Sequence, residues 1–300
     1  METLRVASWS NAGARRRLAS YVELGKPRVV VMVLFTTFVG YYLGAVGVPS
    51  PLPLLHALAG TALAAAGTMA LNQYIERDLD GRMERTRRRP LPEGRVSAVE
   101  ALALGLALVG LGVAYLAATT NLLAAAVTAV IAVTYVAIYT PLKRVTSFCS
   151  IIGAVPGALP PVAGWAAAQG QLGIEAFVLF AIMFLWQIPH TLAIGQVYRD
   201  DYARAGIRVL PVIDYHGGST GRQAALNTLA LLPVGLLPTV VGFAGAWYFV
   251  AALVLGLGFL GSALALARTQ SVAAARRLLF TSLVYLPALL AAMALDKLGA

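Results

Sequence analysis

The amino-acid sequence predicts an all-α fold, a polytopic membrane bundle of nine transmembrane helices. Three observations predict it. Of 300 residues, 59% are hydrophobic and 12% charged, with a mean hydropathy of +0.77, against roughly 45–50% apolar and 25% charged residues in soluble domains. The apolar residues fall in runs of about 20, the length at which a helix crosses a hydrocarbon core of about 30 Å. The connections between the runs alternate between short, nearly uncharged segments and longer, arginine-rich ones, as they do when a chain crosses a bilayer repeatedly.

Residues 1–27 read as a cytoplasmic N-terminal tail: Arg15, Arg16 and Arg17 have no apolar stretch of their own to form a secretory signal. Residues 28–300 then form a single membrane domain. Uncharged apolar runs place helices at 28–46, 53–75, 98–118, 121–140, 149–168, 173–198, 223–243, 246–266 and 277–295. The nearly uncharged connections are 47–52, 119–120, 169–172 and 244–245; the basic ones are 76–97, 141–148, 199–222 and 267–276. All of the 23 Lys and Arg residues except Lys297 lie in or beside the tail and the basic connections. The positive-inside rule therefore puts the N-terminus and these loops in the cytoplasm and the C-terminus in the periplasm, in a bacterial inner membrane. The formal charge of +10 is largely orientation, and without an independent basic domain a nucleic-acid partner is excluded. The partner in contact with most of the chain is the lipid bilayer. Cys149 is the only cysteine, so it forms no internal disulfide and matches no metal-ligand spacing.

Pro156, Pro160 and Pro161 break the fifth run, and Gly153 and Gly157 allow close approach of helices. Carbonyls freed by proline are tolerated at membrane depth when they line a cavity or are buried in protein, so this run either lines a cavity or is simply kinked. Tyr41, Tyr42, Trp165, Trp247 and Tyr248 fall near the outer boundary, as an aromatic belt does.

The acidic residues carry the chemistry. Asn72, Glu76 and Asp80 close the second run at i, i+4 and i+8, one face of a continuing helix. All three offer oxygen, the donor that Mg²⁺ prefers together with water and phosphate oxygens. Arg82, Arg85, Arg87, Arg88, Arg89 and Arg95 follow, with guanidinium donors suited to phosphate. A second cluster, Asp200 and Asp201 between Arg199 and Arg204, follows the sixth run on the same membrane side. Two acidic clusters four helices apart suggest a distant repeat of a four-helix unit, and together they suit a diphosphate bridged by metal ions. The competing reading of Asp200 and Arg204 is an i, i+4 surface pair. Lys26, Arg28, Lys143 and Arg144 either reach the same anion or serve as orientation anchors. His190 lies ten residues before Asp200, roughly 15 Å deeper along a helix, beside Trp186, Gln187 and Pro189. It is a candidate ligand or proton acceptor, or a histidine bonded to a neighbouring helix. His56 near the outer surface and His216 in a loop carry no such pattern.

At these residues the chain resembles the UbiA-type intramembrane prenyltransferases, and within them the protoheme IX farnesyltransferases, or heme O synthases. Asn72, Glu76 and Asp80 match the superfamily pattern N-x-x-x-D-x-x-x-D, and the run from Asn72 to Leu91 matches the subfamily. Tyr139 to Arg144, Gly157 to Pro161 with Gly164-Trp165, Trp186 to His190, and Arg199 to Tyr202 with Ala205-Gly206-Ile207 extend the resemblance over nearly the whole chain. It implies a nine-helix bundle with a central cavity open to the cytoplasmic side. It also implies transfer of the farnesyl group of farnesyl diphosphate to a vinyl group of heme b, with water adding, and a downstream heme-modifying enzyme as partner. Asn72, Glu76 and Asp80 would hold Mg²⁺ against the diphosphate, Asp201 and Asp200 a second ion, Arg85, Lys26, Arg28 and Lys143 would clamp the phosphates, and His190 would meet the acceptor as a heme-iron ligand or proton acceptor.

Four positions depart from the family pattern. Glu76 stands where the motif usually has Asp and Val197 where a second D-x-x-x-D would begin. Thr191 replaces a common aromatic residue and Arg208 the proline usual before Leu210-Pro211. Two other functions fit parts of the pattern: prenylation of an aromatic or quinone precursor, and transport. A transporter would place ionisable groups near the midplane, whereas here they gather at one boundary.

Overall fold

Ser97, Asn121 and Ser271 each accept the backbone N–H three residues on, and so open the helices Ala98–Thr119, Leu122–Val133 and Val272–Leu295. Glu100 completes a capping box with Ser97. Pro27 and Pro51 start their helices without wasting a donor, and Lys26, at φ 47°, makes the sharp turn before Pro27. Such local signals divide the chain as its hydropathy does. The computed structural model describes residues 2–214 and 218–298, with side chains from residue 13 onward; His216 lies outside the described residues.

Among the described residues nine helices are long and apolar enough to cross a bilayer: Pro27–Gly44, Pro51–Asp80, Ala98–Thr119, Leu122–Leu142, Cys149–Gln169, Ile174–Val197, Gly218–Val241, Ala246–Thr269 and Val272–Leu295. These are the first to ninth spans, and they agree with the expected nine. Three boundaries move. The second span continues past the expected end at 75 to Asp80, so the acidic motif is helical throughout. The seventh and ninth begin earlier than expected, and the ninth takes Arg276 and Arg277 into its first turns.

The N-terminal segment is helical over Glu2–Leu24. It is tied down where it meets the bundle. Leu24 is fully buried, Arg17 and Tyr21 donate to Glu100 Oε1 at 2.5 and 3.0 Å, and Gln73 Nε2 donates to Leu24 O at 2.9 Å.

Prolines bend the fifth span as expected. Its halves, Cys149–Ala158 and Pro160–Gln169, meet at Leu159. The fourth span carries a device that the sequence does not announce, a π-helical stretch over Thr134–Tyr139. There Thr140 N–H donates to Tyr135 O, five residues back, and Thr140 Oγ1 adds a bond to the same oxygen at 2.8 Å.

Close approach of backbones replaces the hydrophobic effect that lipid cannot supply between helices. It is tightest between the first and fifth spans: a Cβ at Gly40 would lie 2.0 Å from Pro161 O, and one at Gly164 2.0 Å from Thr37 O. The core gathers residues from the first, fifth, sixth, seventh, eighth and ninth spans around Leu179, Ile182, Phe259 and Tyr285. Of the expected aromatic belt, Trp247 is exposed, but Tyr41, Trp165 and Tyr248 are buried. The Tyr248 hydroxyl donates to Gly235 O at 2.7 Å, so its burial leaves no orphaned donor. Lys297, alone at its end of the bundle, caps the first span by donating to Tyr42 O at 2.9 Å and Ala45 O at 2.7 Å.

Candidate active site

The motif Asn72, Glu76 and Asp80 sits on one face of the second span, and the three residues are only 1%, 7% and 0% exposed. Three oxygen donors are costly at such depth unless each has a partner, and each has one. Lys26 Nζ donates to Asn72 Oδ1 at 2.6 Å, and Lys143 Nζ to Glu76 Oε1 at 2.7 Å. Arg89 places one guanidinium nitrogen 2.7 Å from both oxygens of Asp80. Asn72 Nδ2 donates to Thr140 Oγ1 at 3.2 Å, which ties the motif to the π-helical stretch.

The cations differ in character. Desolvation, with Arg89 nearby, pushes the Lys26 ammonium down to about 7. Burial also works against the Lys143 charge, but Tyr139 and Glu76 more than offset it and hold that ammonium above its ordinary value. Lys143 Nζ also lies 4.5 Å from the Tyr139 ring centre.

These groups line a chamber of about 340 Å³, to which Arg85, Tyr135, Tyr139, Thr191 and Tyr202 also contribute. At its deep end, Val29, Met69 and Tyr135 belong equally to a second chamber of about 270 Å³. This one is apolar, walled by the first, second, fourth, fifth, sixth and ninth spans, and reaches Trp186, Gln187 and His190. Pro156, Gly157 and Pro160 line it, so the proline-broken fifth span does border a cavity. A cationic, carboxylate-bearing compartment thus adjoins an apolar one, an arrangement suited to a lipid chain with an anionic head.

The loop after the second span brings the two acidic clusters together. Glu84 N–H donates to Asp201 Oδ1 at 3.4 Å, and the Arg85 guanidinium lies over the rings of Tyr198 and Tyr202 at 5.3 and 6.0 Å. Leu79, Met83, Ala205 and Ile207 pack beneath this junction. Asp201, its side chain 12% exposed, pairs with Arg204.

Residues 33–284 match the UbiA prenyltransferase family. The chain belongs to that family. It is similar to the protoheme IX farnesyltransferase of Solibacter usitatus, 45% identical over 291 residues that cover 94% of this chain and 100% of that one. It is 44% identical to the protoheme IX farnesyltransferase of Koribacter versatilis over 295 residues, 95% of each chain. Among solved structures, a digeranylgeranylglyceryl phosphate synthase superposes with a TM-score of 0.80 over 93% of this chain and 98% of that one, at 17% identity. A UbiA homologue from Archaeoglobus fulgidus bound to GPP and Mg²⁺ does so with a TM-score of 0.63 over 91% and 99%, also at 17% identity. These structures share the fold.

Within this UbiA-family site, Asn72, Glu76, Asp80, Lys26, Lys143 and Arg85 meet in one chamber and His190 lines the adjoining one. Asp201 meets the loop that carries Arg85. Besides Asp201, two more expected residues fall outside the chamber. Arg28 is exposed on the first turn of its span, and Asp200 is exposed on the short helix Arg199–Arg204; neither lines the chamber. For Asp200 the geometry favours the surface reading, while the actual partner of Arg204 is Asp201, three residues away. Sequence reasoning did not single out Tyr135, Tyr139 or Thr140 as site residues, and left Arg89 as one of six candidate phosphate donors. Arg89 is one of three consecutive arginines, and only the fold of the loop, held by Thr86 Oγ1 donating to Asp80 O at 2.9 Å, singles it out.

Among the described residues no three His, Cys, Asp or Glu side chains converge into a metal site by themselves. Asn72, Glu76 and Asp80 present one amide and two carboxylate side chains along one buried face of the second span, the oxygen donors that Mg²⁺ takes together with phosphate and water oxygens.

Proposed function

We propose that this prenyltransferase moves the farnesyl group of farnesyl diphosphate to a vinyl group of protoheme IX, with water adding to the acceptor. The observation that carries the donor half is the junction of a cationic and an apolar chamber at Val29, Met69 and Tyr135. The acceptor half is supported by relatives named protoheme IX farnesyltransferase that match nearly the whole chain.

In this reading Asn72, Glu76 and Asp80 hold Mg²⁺, and Asp201 assists a second ion. The metal, when bound, neutralises the charge that grows on the leaving diphosphate. Lys26, Lys143, Arg85 and Arg89 donate to phosphate oxygens; Lys26, Lys143 and Arg89 are partly buried already, which strengthens their contacts, while Arg85 reaches in from the exposed loop. The walls of the apolar chamber hold the isoprenoid chain and keep bulk water from the reactive carbon. Tyr135 stands at the junction, where the scissile bond would lie.

The same residues orient the chain. The chamber is built at the membrane face that carries every cation but Lys297, so we infer that it opens to the cytoplasm of a bacterial inner membrane, with the C-terminus periplasmic.

Purified protein supplied with farnesyl diphosphate, protoheme IX and Mg²⁺ should yield the hydroxylated farnesyl adduct by mass. Preferential transfer to an aromatic or quinone precursor in a competition assay would replace the acceptor while keeping the donor. Passage of an unchanged substrate across vesicles, without diphosphate release, would overturn both.

A further inference from the structure

The donor half of the reaction leaves two polar side chains of the sixth span, in the wall of the apolar chamber, without a task. One is His190. Its Nδ1 lies 2.7 Å from Ser282 Oγ, and Ser282 Oγ itself donates to Leu279 O at 2.6 Å. The single hydroxyl hydrogen is thereby spent, so the His190 contact is an Nδ1–H donating to Oγ. This fixes the tautomer and leaves a lone pair on Nε2, which has no hydrogen-bond partner among the described residues. Trp186 holds the ring in place. It stacks on His190 at 4.8 Å between centroids, and its Nε1 donates to the Ser282 carbonyl at 2.9 Å.

The other is Gln187, three residues earlier and so on the same helical side. Its Nε2 is buried without a partner, as is the hydroxyl of Thr128 on the fourth span, and all three residues line the chamber. Room for the amide depends on Gly157: a Cβ there would lie 2.1 Å from Gln187 Oε1. An unpartnered acceptor and an unpartnered donor at the wall of one cavity suit a molecule that both donates and accepts. Water is such a molecule. An iron ion on the imidazole would leave the amide still orphaned, at the usual cost of an unmet buried donor.

We propose that His190 and Gln187 hold the water that completes the reaction, and that His190 Nε2 takes its proton. The inference rests on protoheme IX as acceptor. The C1–O bond of farnesyl diphosphate breaks and its electron pair leaves on diphosphate. The vinyl π pair forms the new C–C bond to C1, which leaves the ring-bound vinyl carbon electron-deficient. The water oxygen bonds to that carbon while one of its O–H bonds gives its proton to Nε2. One farnesyl diphosphate, one protoheme and one water become the hydroxylated adduct, diphosphate and a proton. Ser282 and Trp186 act as positioning residues, because they set the tautomer and the ring plane without touching substrate.

The test uses full-length protein in lipid nanodiscs with farnesyl diphosphate, protoheme IX and Mg²⁺, following diphosphate release, product masses and the Soret band. His190→Ala should lower the hydroxylated adduct about 100-fold, the usual scale of a general base, while an adduct lighter by one water, formed when the cation sheds a proton instead, becomes the main product. Gln187→Leu should shift the same ratio about tenfold, and Ser282→Ala should shift it with His190 still present, which a merely structural role would not do. Wild-type product ratios and rates in these variants would overturn the inference. Loss of the protoheme Soret shift in His190→Ala would overturn it too, because the nitrogen would then be an iron ligand. If His190→Ala fails to fold, the ratio in Gln187→Leu decides. Wild-type protein that forms no protoheme adduct at all would overturn the proposed acceptor and this inference together.

Discussion

Asp80 and Arg89 form an ion pair whose halves are unequally exposed, with side chains at 1% and 21%. Arg89→Leu strands a carboxylate that water cannot reach. Asp80→Asn leaves an amide oxygen that still accepts and a guanidinium that can turn partly to solvent. Removing one partner of a buried pair costs about 3–5 kcal/mol, the range expected for Arg89→Leu, whereas the weakened hydrogen bond in Asp80→Asn costs about 1–2 kcal/mol. At about 2–3 °C per kcal/mol for a large domain, Arg89→Leu should melt roughly 6–15 °C below wild type and Asp80→Asn roughly 2–6 °C below. The order reverses for activity. Asp80→Asn removes a charged metal ligand and should lower turnover about 100-fold or more, with a raised Mg²⁺ requirement. Arg89→Leu removes one of several phosphate donors and should cost about tenfold. Melting in detergent and diphosphate release across a Mg²⁺ series measure both. The double variant should melt close to Asp80→Asn alone, since the stranded charge is gone. Melting of Arg89→Leu within 2 °C of wild type, or Asp80→Asn within about threefold of wild-type turnover, would refute the reasoning.

The two carboxylates after the sixth span should separate: Asp201→Ala should abolish product while the protein still inserts, and Asp200→Ala should stay within about twofold of wild type, both read by diphosphate release. Gly40→Ala forces a methyl group against the Pro161 carbonyl, and overpacking of this kind costs about 1–3 kcal/mol; a lowered melting temperature with unchanged Mg²⁺ dependence is expected. Lys297→Cys in a Cys149→Ser background should react with a membrane-impermeant thiol reagent from the periplasmic side only, and labelling from the cytoplasmic side would reverse the proposed orientation.

Much of the fold was legible because the bilayer limits what a chain can do. Runs such as 98–118 and 246–266 have no competing interpretation, and the single-sided cations order them. Span ends were less legible, since Glu76 and Asp80 read as leaving the membrane when their charge is in fact neutralised by Lys143 and Arg89. The motif itself was visible from its i+4 spacing, which fixes a helical face before any tertiary contact forms. Arg28 and Asp200 lie off the chamber for a shared reason: closeness in sequence to a site residue says nothing of helical phase, and each is exposed on its helix. Tyr248 looked like an interfacial aromatic residue because hydropathy does not reveal a carbonyl such as Gly235 O waiting inside. Tyr135 and Tyr139 were invisible as a pair because nothing in the residue types of 134–139 marks a π-helix.

That π-helical stretch also makes the length of the fourth span a functional quantity. Each residue of a regular helix turns the chain by about 100°. Deleting one residue between Thr134 and Tyr139 would let the segment close as an ordinary α-helix, without a proline or a charge having changed. Everything after it in the chain would then be rotated against the part of the span before it. Asn121 and the packing of Ala124 and Thr128 would hold the first part of the span, so Lys143 would swing away from Glu76 and Thr140 away from Asn72. A bundle of normal stability could in this way lose its anion chamber through a change in residue count alone.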